Sequence, residues 1–181
     1  VSIVVGFKLE MILEAHPDAT YIYNENYDQT NTSKSLLKAL RASQESGVLW
    51  LNGDVVFDSR VLERIKDRIL NEKSFVCVNT SAVGEEEVKY TVNRDGNIKA
   101  LSKKVENALG AAVGINFISK HDKEAAIKRL VECADNDYFE RGLELAIEKD
   151  GIKIEPVDIS DLFAVEVDFQ ADLDRANSAI N

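Results

Sequence analysis

Two acidic residues stand where chain geometry can give them chemical work. Asp54 follows the apolar run Val48-Leu49-Trp50-Leu51 and the break Asn52-Gly53, and Asp168 follows Ala164-Val165-Glu166-Val167. In an open α/β sheet, ligands bind beyond the carboxyl ends of the strands, so a carboxylate just past a buried run faces a cleft. Two such carboxylates from separate strands can meet at one rim and hold a magnesium ion, which takes one or two carboxylates together with substrate phosphates. Each also has a plainer reading. Asp54 can make a tight turn with Gly53, and Asp168 can cap the helix that follows it.

A second candidate is the segment from Asn24 to Ser35, dense in Asn, Thr, Ser and Tyr and leading into a helix. Free N–H groups at a helix N-terminus suit a phosphate; the alternative is a surface loop held by its own Asx and Ser/Thr turns. Other chemistry-bearing residues point nowhere in particular. His16 and His121 lack Cys, Asp or Glu partners at metal-ligand spacing and read as surface residues. Gly110 and Gly114 form no dinucleotide fingerprint, and no Gly-rich loop ending in Lys is present. No Ser or Cys sits in a nucleophile elbow. Glu85-Glu86-Glu87 reads as a solvated loop and Trp50 as a core residue.

The elements that must position these residues alternate. Short β-branched runs at 1–7, 20–23, 48–51 and 74–79 are separated by amphipathic patterns, the rhythm of a strand–helix fold with a largely parallel sheet. Leu9, Ile12 and Leu13 form a short helix closed by Pro17. Thr32 or Ser33 caps a helix carrying Leu36, Leu37 and Leu40, and Asp58 or Ser59 caps one carrying Val61, Leu62, Ile65 and Ile69. The runs 88–92 and 97–101 flank Arg94-Asp95-Gly96-Asn97 and predict a hairpin, which makes the sheet mixed. A strand at 113–118 leads into a capping box at Ser119-Lys120-His121-Asp122, followed by helices over about 120–133 and 138–148. Strands at 152–157 and 164–167 and a helix at 168–179 close the chain. The expected class is α/β, a three-layer α/β/α arrangement with a mixed, mostly parallel central sheet, in one domain over 1–181.

Composition bounds the partners. Of 181 residues, 22 are Lys or Arg and 32 are Asp or Glu, a net charge of −10. That field repels a phosphate backbone and an anionic membrane surface. A chain of this length buries about 70% of its unfolded surface, enough for a core without disulfide or metal. Two cysteines, Cys77 and Cys133, fit a reducing cytoplasm, and no apolar run approaches the roughly 18 residues of a membrane span. The chain opens at Val1 on a strand-like run, with Met11 its only Met, so residues upstream of Val1 are expected.

Taken in order, four stretches resemble the nucleotidyltransferase superfamily with a glycosyltransferase-A-like, Rossmann-like nucleotide-diphospho-sugar transferase fold. This superfamily includes sugar-1-phosphate nucleotidyltransferases and the phosphocholine and aminoalkylphosphonate cytidylyltransferases. The stretches are Ile3-Val4-Val5-Gly6-Phe7-Lys8; Asn26-Tyr27 with Asn31 and Ser35-Leu36; Leu51-Asn52-Gly53-Asp54-Val55; and Glu166-Val167-Asp168 with Asp172-Leu173. The resemblance implies that Asp54 and Asp168 are catalytic ligands of Mg2+, that Asn31 and Ser35 lie near nucleotide or acceptor, and that Lys8 is a basic residue of the cleft. It implies transfer of a nucleoside monophosphate, CMP in this branch, from a nucleoside triphosphate to a small phosphorylated or phosphonate acceptor, releasing pyrophosphate. A homodimer is compatible with it. The superfamily's Gly-rich triphosphate loop falls upstream of Val1, so the chain is expected to be N-terminally incomplete. Gly110-Ala111-Ala112-Val113-Gly114 has Ala where sugar-type members carry Glu, which turns the expectation from a hexose-1-phosphate toward a phospho-alcohol or aminoalkylphosphonate. The alternatives are a sugar-1-phosphate nucleotidyltransferase, a glycosyltransferase, whose Asp-x-Asp motif is here Asn52-Gly53-Asp54, and a non-catalytic nucleotide-binding domain.

Overall fold

A computed structural model describes residues 1–81, 84 and 87–180; Glu85 and Glu86 of the acidic run lie outside them. The elements are β1 (Ser2–Val5), α1 (Leu9–Ala15), β2 (Thr20–Tyr23), α2 (Thr32–Ala42), β3 (Val48–Leu51), β4 (Val55–Phe57), α3 (Arg60–Leu70), β5 (Phe75–Asn79), β6 (Lys89–Val92), β7 (Ile98–Ser102), β8 (Gly110–Ile118), α4 (Lys120–Glu132), α5 (Phe139–Asp150), β9 (Glu155–Asp158), β10 (Ala164–Glu166) and α6 (Gln170–Ile180).

Six strands form the main sheet, with β8 at its centre. β8 pairs antiparallel with β5 along one edge, and with β6 and β3 at its two ends along the other. β9 adds to β5 in parallel and β7 closes a hairpin with β6. The mixed sheet follows the sequence reading, and β3, β5, β6 and β9 run in one direction. The pairing is less parallel than the rhythm suggests. Among the described residues, only β1–β2 and β5–β9 are parallel ladders, because β8 runs against every strand it pairs with. Gly114, at φ 73°, breaks the pleat of β8 between these partners, a conformation that glycine adopts without a Cβ penalty.

Strand alternation builds two cores. Val76 and Val78 of β5 and Ile118 of β8 face α2, α4 and α5, where Leu36, Leu40, Ala126, Leu130, Phe139 and Leu143 are buried. Phe75, Cys77, Ile115 and Phe117 face the other way, onto Val61 and Ile65 of α3. Helices therefore cover both faces, which is the expected three-layer arrangement. Ser119 caps α4 as the sequence suggests, its Oγ accepting from Asp122 N at 3.1 Å. The cap of α2 is Asn31 rather than Thr32 or Ser33. Short α1 buries no residue, although its apolar spacing suggested an inward face. No helix among the described residues is long and apolar enough to cross a membrane.

Candidate functional site

Strand β4, too short to stand out in the sequence, decides where the acidic residues go. It pairs antiparallel with β10, Val55 opposite Glu166 and Phe57 opposite Ala164. The pairing continues one step further, Val167 N–H donating to Asp54 O at 2.9 Å. Asp54 thus leads into one strand of a ribbon while Asp168 leaves the other at the same end. Two carboxylates, 114 positions apart in sequence, reach one rim.

Neither serves the plainer role. The first turn of α6 is held by Asp172, whose Oδ2 accepts from Phe169 N–H at 2.9 Å and whose Oδ1 pairs with Arg175 at 2.7 Å. The turn at Asn52–Val55 is closed by backbone alone, Val55 N–H to Asn52 O at 3.4 Å. Among the described residues the carboxylates of Asp54 and Asp168 accept no hydrogen bond, and both are exposed.

Glu166 joins them. Residues two apart on a strand share a face, so Glu166 and Asp168 already formed a pair legible as Glu-x-Asp, although only Asp168 was singled out. Burial, and then the negative charge of Asp54, raise the Glu166 carboxyl above the usual range, with Asp168 adding to the effect. Asn52 Nδ2 donates to Glu166 Oε1 at 3.4 Å, while Asn52 N–H donates to Gly114 O at 2.9 Å. The β8 irregularity at Gly114 and the acidic rim are therefore tied through one residue, Asn52, by its backbone on one side and its side chain on the other. A Cβ at Gly114 would lie 2.9 Å from Asn52 Cγ, so the site also needs glycine there for space.

A further acid and base were not visible in the sequence. Glu140 sits one residue inside α5, 7% exposed, and its Oε2 has no hydrogen-bond partner. Burial pushes its carboxyl up to about 7, with Glu166 contributing in the same direction. Beside it, the Lys103 ammonium lies 5.1 Å from the ring centroid of Tyr138, within cation–π range. The positive charge of Lys103 opposes the upward shifts at Glu140 and Glu166. Nothing local in the sequence marks these residues. Glu140 belongs to α5 and Lys103 to the segment after β7, two elements brought together by the packing of α5 against β7.

The polar segment 24–35 is bound up within the protein. Buried Asn24 donates from Nδ2 to Thr30 Oγ1 at 3.1 Å and Ser35 Oγ at 3.2 Å. Asn31 Oδ1 accepts from Thr32 N–H at 2.7 Å, and the N–H groups of Asn31 and Ser33 donate to the carbonyls of Asp135 and Asp137. Phe139 N–H donates to Thr32 Oγ1 at 3.1 Å, which joins the start of α2 to the start of α5. The loop-forming reading thus accounts for these groups, and the leading N–H groups of α2 are already paired. Lys8 is exposed past the carboxyl end of β1, with its Nζ 5.3 Å from the Phe7 ring centroid.

Among the described residues, no three His, Cys, Asp or Glu side chains converge as a ready metal cage. The donor set still fits magnesium. That ion keeps several waters and takes one or two carboxylates plus phosphate oxygens, and Asp54, Glu166 and Asp168 offer hard oxygens whose mutual repulsion a divalent cation relieves.

No family model and no curated protein matches the chain. Solved structures do. An inositol-1-phosphate CTP transferase from T. maritima is similar at 16% identity, over 98% of this chain and 75% of that one, with TM-score 0.76. A CTP:phosphocholine cytidylyltransferase from Streptococcus pneumoniae is similar at 12% identity, over 100% and 78%, with TM-score 0.74. A putative glucose-1-phosphate thymidylyltransferase from Bacillus anthracis is similar at 14% identity, over 98% and 74%, with TM-score 0.69. The chain therefore has the α/β fold of these nucleotidyltransferases, along its whole length.

Proposed function

We propose that residues 1–181 act as a single nucleotidyltransferase domain, moving a nucleoside monophosphate from a nucleoside triphosphate to a small phosphorylated or phosphonate acceptor. The observation that carries this reading is the β4–β10 ribbon, which presents Asp54 and Asp168, committed to no structural role, at one rim of a fold shared with enzymes of that class. Two of the similar structures are cytidylyl-type enzymes, which supports CTP as donor and CMP as the transferred group.

In this reading an acceptor oxygen attacks the α-phosphorus, a new P–O bond forms, and the bond to the β-phosphate oxygen breaks to release pyrophosphate. No protein nucleophile is required; positioning and charge neutralisation carry the rate. Asp54 and Asp168, with Glu166 beside them, hold Mg2+, which when bound neutralises phosphate charge. Asn52 holds Glu166 in place. Lys8, Asn31 and Ser35 serve the substrates differently: Lys8 as an exposed cation, Asn31 and Ser35 by fixing the loop and helix that border the cleft.

The test is magnesium-dependent pyrophosphate release by the full-length gene product, with each nucleoside triphosphate against phosphocholine, an aminoalkylphosphonate and a hexose-1-phosphate. Release with CTP and either of the first two is the expected result. Release with the hexose-1-phosphate alone makes the chain a sugar-1-phosphate nucleotidyltransferase. Nucleotide binding without release under every pairing overturns the catalytic reading in favour of a binding domain.

A further inference from the structure

We propose that a slot one strand wide lies between β1 and β3, and that an extended segment of the same gene product outside residues 1–181 fills it. Among the described residues both edges facing the slot are unpaired: β1 pairs with β2 alone, and β3 with β8 alone. The alternation of ladder hydrogen bonds says which backbone groups those edges present. Thr20 N–H donates to Val1 O and Asn24 N–H to Val5 O, so the odd residues of β1 turn to β2, and the N–H and C=O of Ser2 and Val4 turn away. Asn52 N–H donates to Gly114 O, in step with the Trp50–Asn116 pair, which turns the backbone groups of Leu49 and Leu51 away from β8.

One helix sets the width of the slot. α2 packs on β1 and β2, and its Leu36, Leu37 and Leu40 share a core with Val48 and Trp50 of β3. A helix with its side chains is about 10–12 Å across, and strands on either side of one absent neighbour lie about 9.5 Å apart. The strands also end on the same side. Asn24, just past β2, bonds Ser35 in the first turn of α2, Thr32 bonds Phe139, and the Phe139 ring centroid lies 5.6 Å from that of Trp50 near the end of β3. Burial agrees with an open edge. Val48-Leu49-Trp50-Leu51 is a continuous apolar run of the kind covered on both faces, yet none of the four is fully buried and Leu51 is 41% exposed. The two edges also choose the occupant. An edge strand of a second folded copy is already paired within its own sheet and can join only one of them, so the slot takes a segment with both edges free. The similar structures have polypeptide to supply one, since the match covers 75%, 78% and 74% of those chains. Paired with Leu49 and Leu51, that segment ends beside the Asn52–Asp54 turn and so borders the acidic rim, whether or not the rim is catalytic.

The test is amide-resolved hydrogen exchange by NMR on the full-length gene product. The amides of Val4, Leu49 and Leu51 should exchange at least about a hundredfold more slowly than in an unstructured chain, as should that of Trp50, which faces β8. Cross-strand NOEs from Val4 on one side and from Leu49 and Leu51 on the other should lead to one segment outside residues 1–181. Fast exchange at these three amides beside a protected Trp50 leaves the edges open and overturns the proposal. NOEs running directly between β1 and β3 overturn it as well, because the strands then pair with each other. NOEs that appear only between copies in a mixed-label sample give the slot to a second molecule and overturn the proposed occupant.

Discussion

Replacing Glu140 with Gln should flatten a pH dependence of stability that the fold imposes on itself. Glu140 is almost fully enclosed at the start of α5, with one carboxylate oxygen unpartnered. Its carboxyl titrates near 4.5 in a solvated chain and at about 7 in the fold, first because of burial and then because of Glu166. Holding it ionised costs about 3 kcal/mol, at about 1.4 kcal/mol per pH unit of displacement. The folded state binds this proton more tightly than the unfolded state, so the stabilisation is complete below about pH 4.5 and is lost as pH rises through about 7. Gln imitates the protonated acid and does not ionise. Urea unfolding of Glu140→Gln and the native protein should therefore agree near pH 4.5 and diverge above it. By about pH 8 the variant should be more stable by about 3 kcal/mol, or about 6 to 12 °C in Tm for a domain of this size. Carboxylates held low by ion pairs, such as Asp58 at about 2, act at more acidic pH and cancel in the comparison. Parallel profiles across this range would refute the reasoning, since they would mean that the Glu140 carboxylate is solvated or paired in solution.

Three further outcomes follow from the site. Asp54→Ala and Asp168→Ala should abolish pyrophosphate release and leave Tm within a few degrees, because neither side chain accepts a hydrogen bond; retained turnover would reduce both to surface residues. Asp172→Ala should do the reverse, losing about 1 kcal/mol of helix capping in thermal unfolding while keeping Mn2+ binding. Gly114→Ala should destabilise the protein by about 1–3 kcal/mol in urea unfolding, through the positive φ and the contact with Asn52.

Much of the fold was legible because burial writes itself into periodicity. Continuous apolar runs marked β3 and β5, heptad-like spacing marked α2, α3 and α5, and the Ser119-x-x-Asp122 box marked the start of α4. Where the reading slipped, a side chain did something its type does not announce. Asn31 capped α2 in place of two hydroxyl residues, and the apolar residues of α1 found no core. The three residues of β4 were too few to show a period, although they set the geometry of the rim. The two acids were found because each follows an apolar run, a one-dimensional feature.

What lies between sites distant in sequence was not legible. The chain by itself determined that it is acidic, that it folds as strands and helices around apolar cores, and that Asp54 and Asp168 end strands. Each of these depends on neighbours within a few residues or on summed charge. Tertiary structure alone decided that β8 runs against all its partners, that Asp54 and Asp168 meet through the β4–β10 ribbon, and that Glu140 is buried where it feels the charge of Glu166. Those outcomes depend on through-space packing and on the desolvation it produces, and the strength of a charge is set by what surrounds it in space.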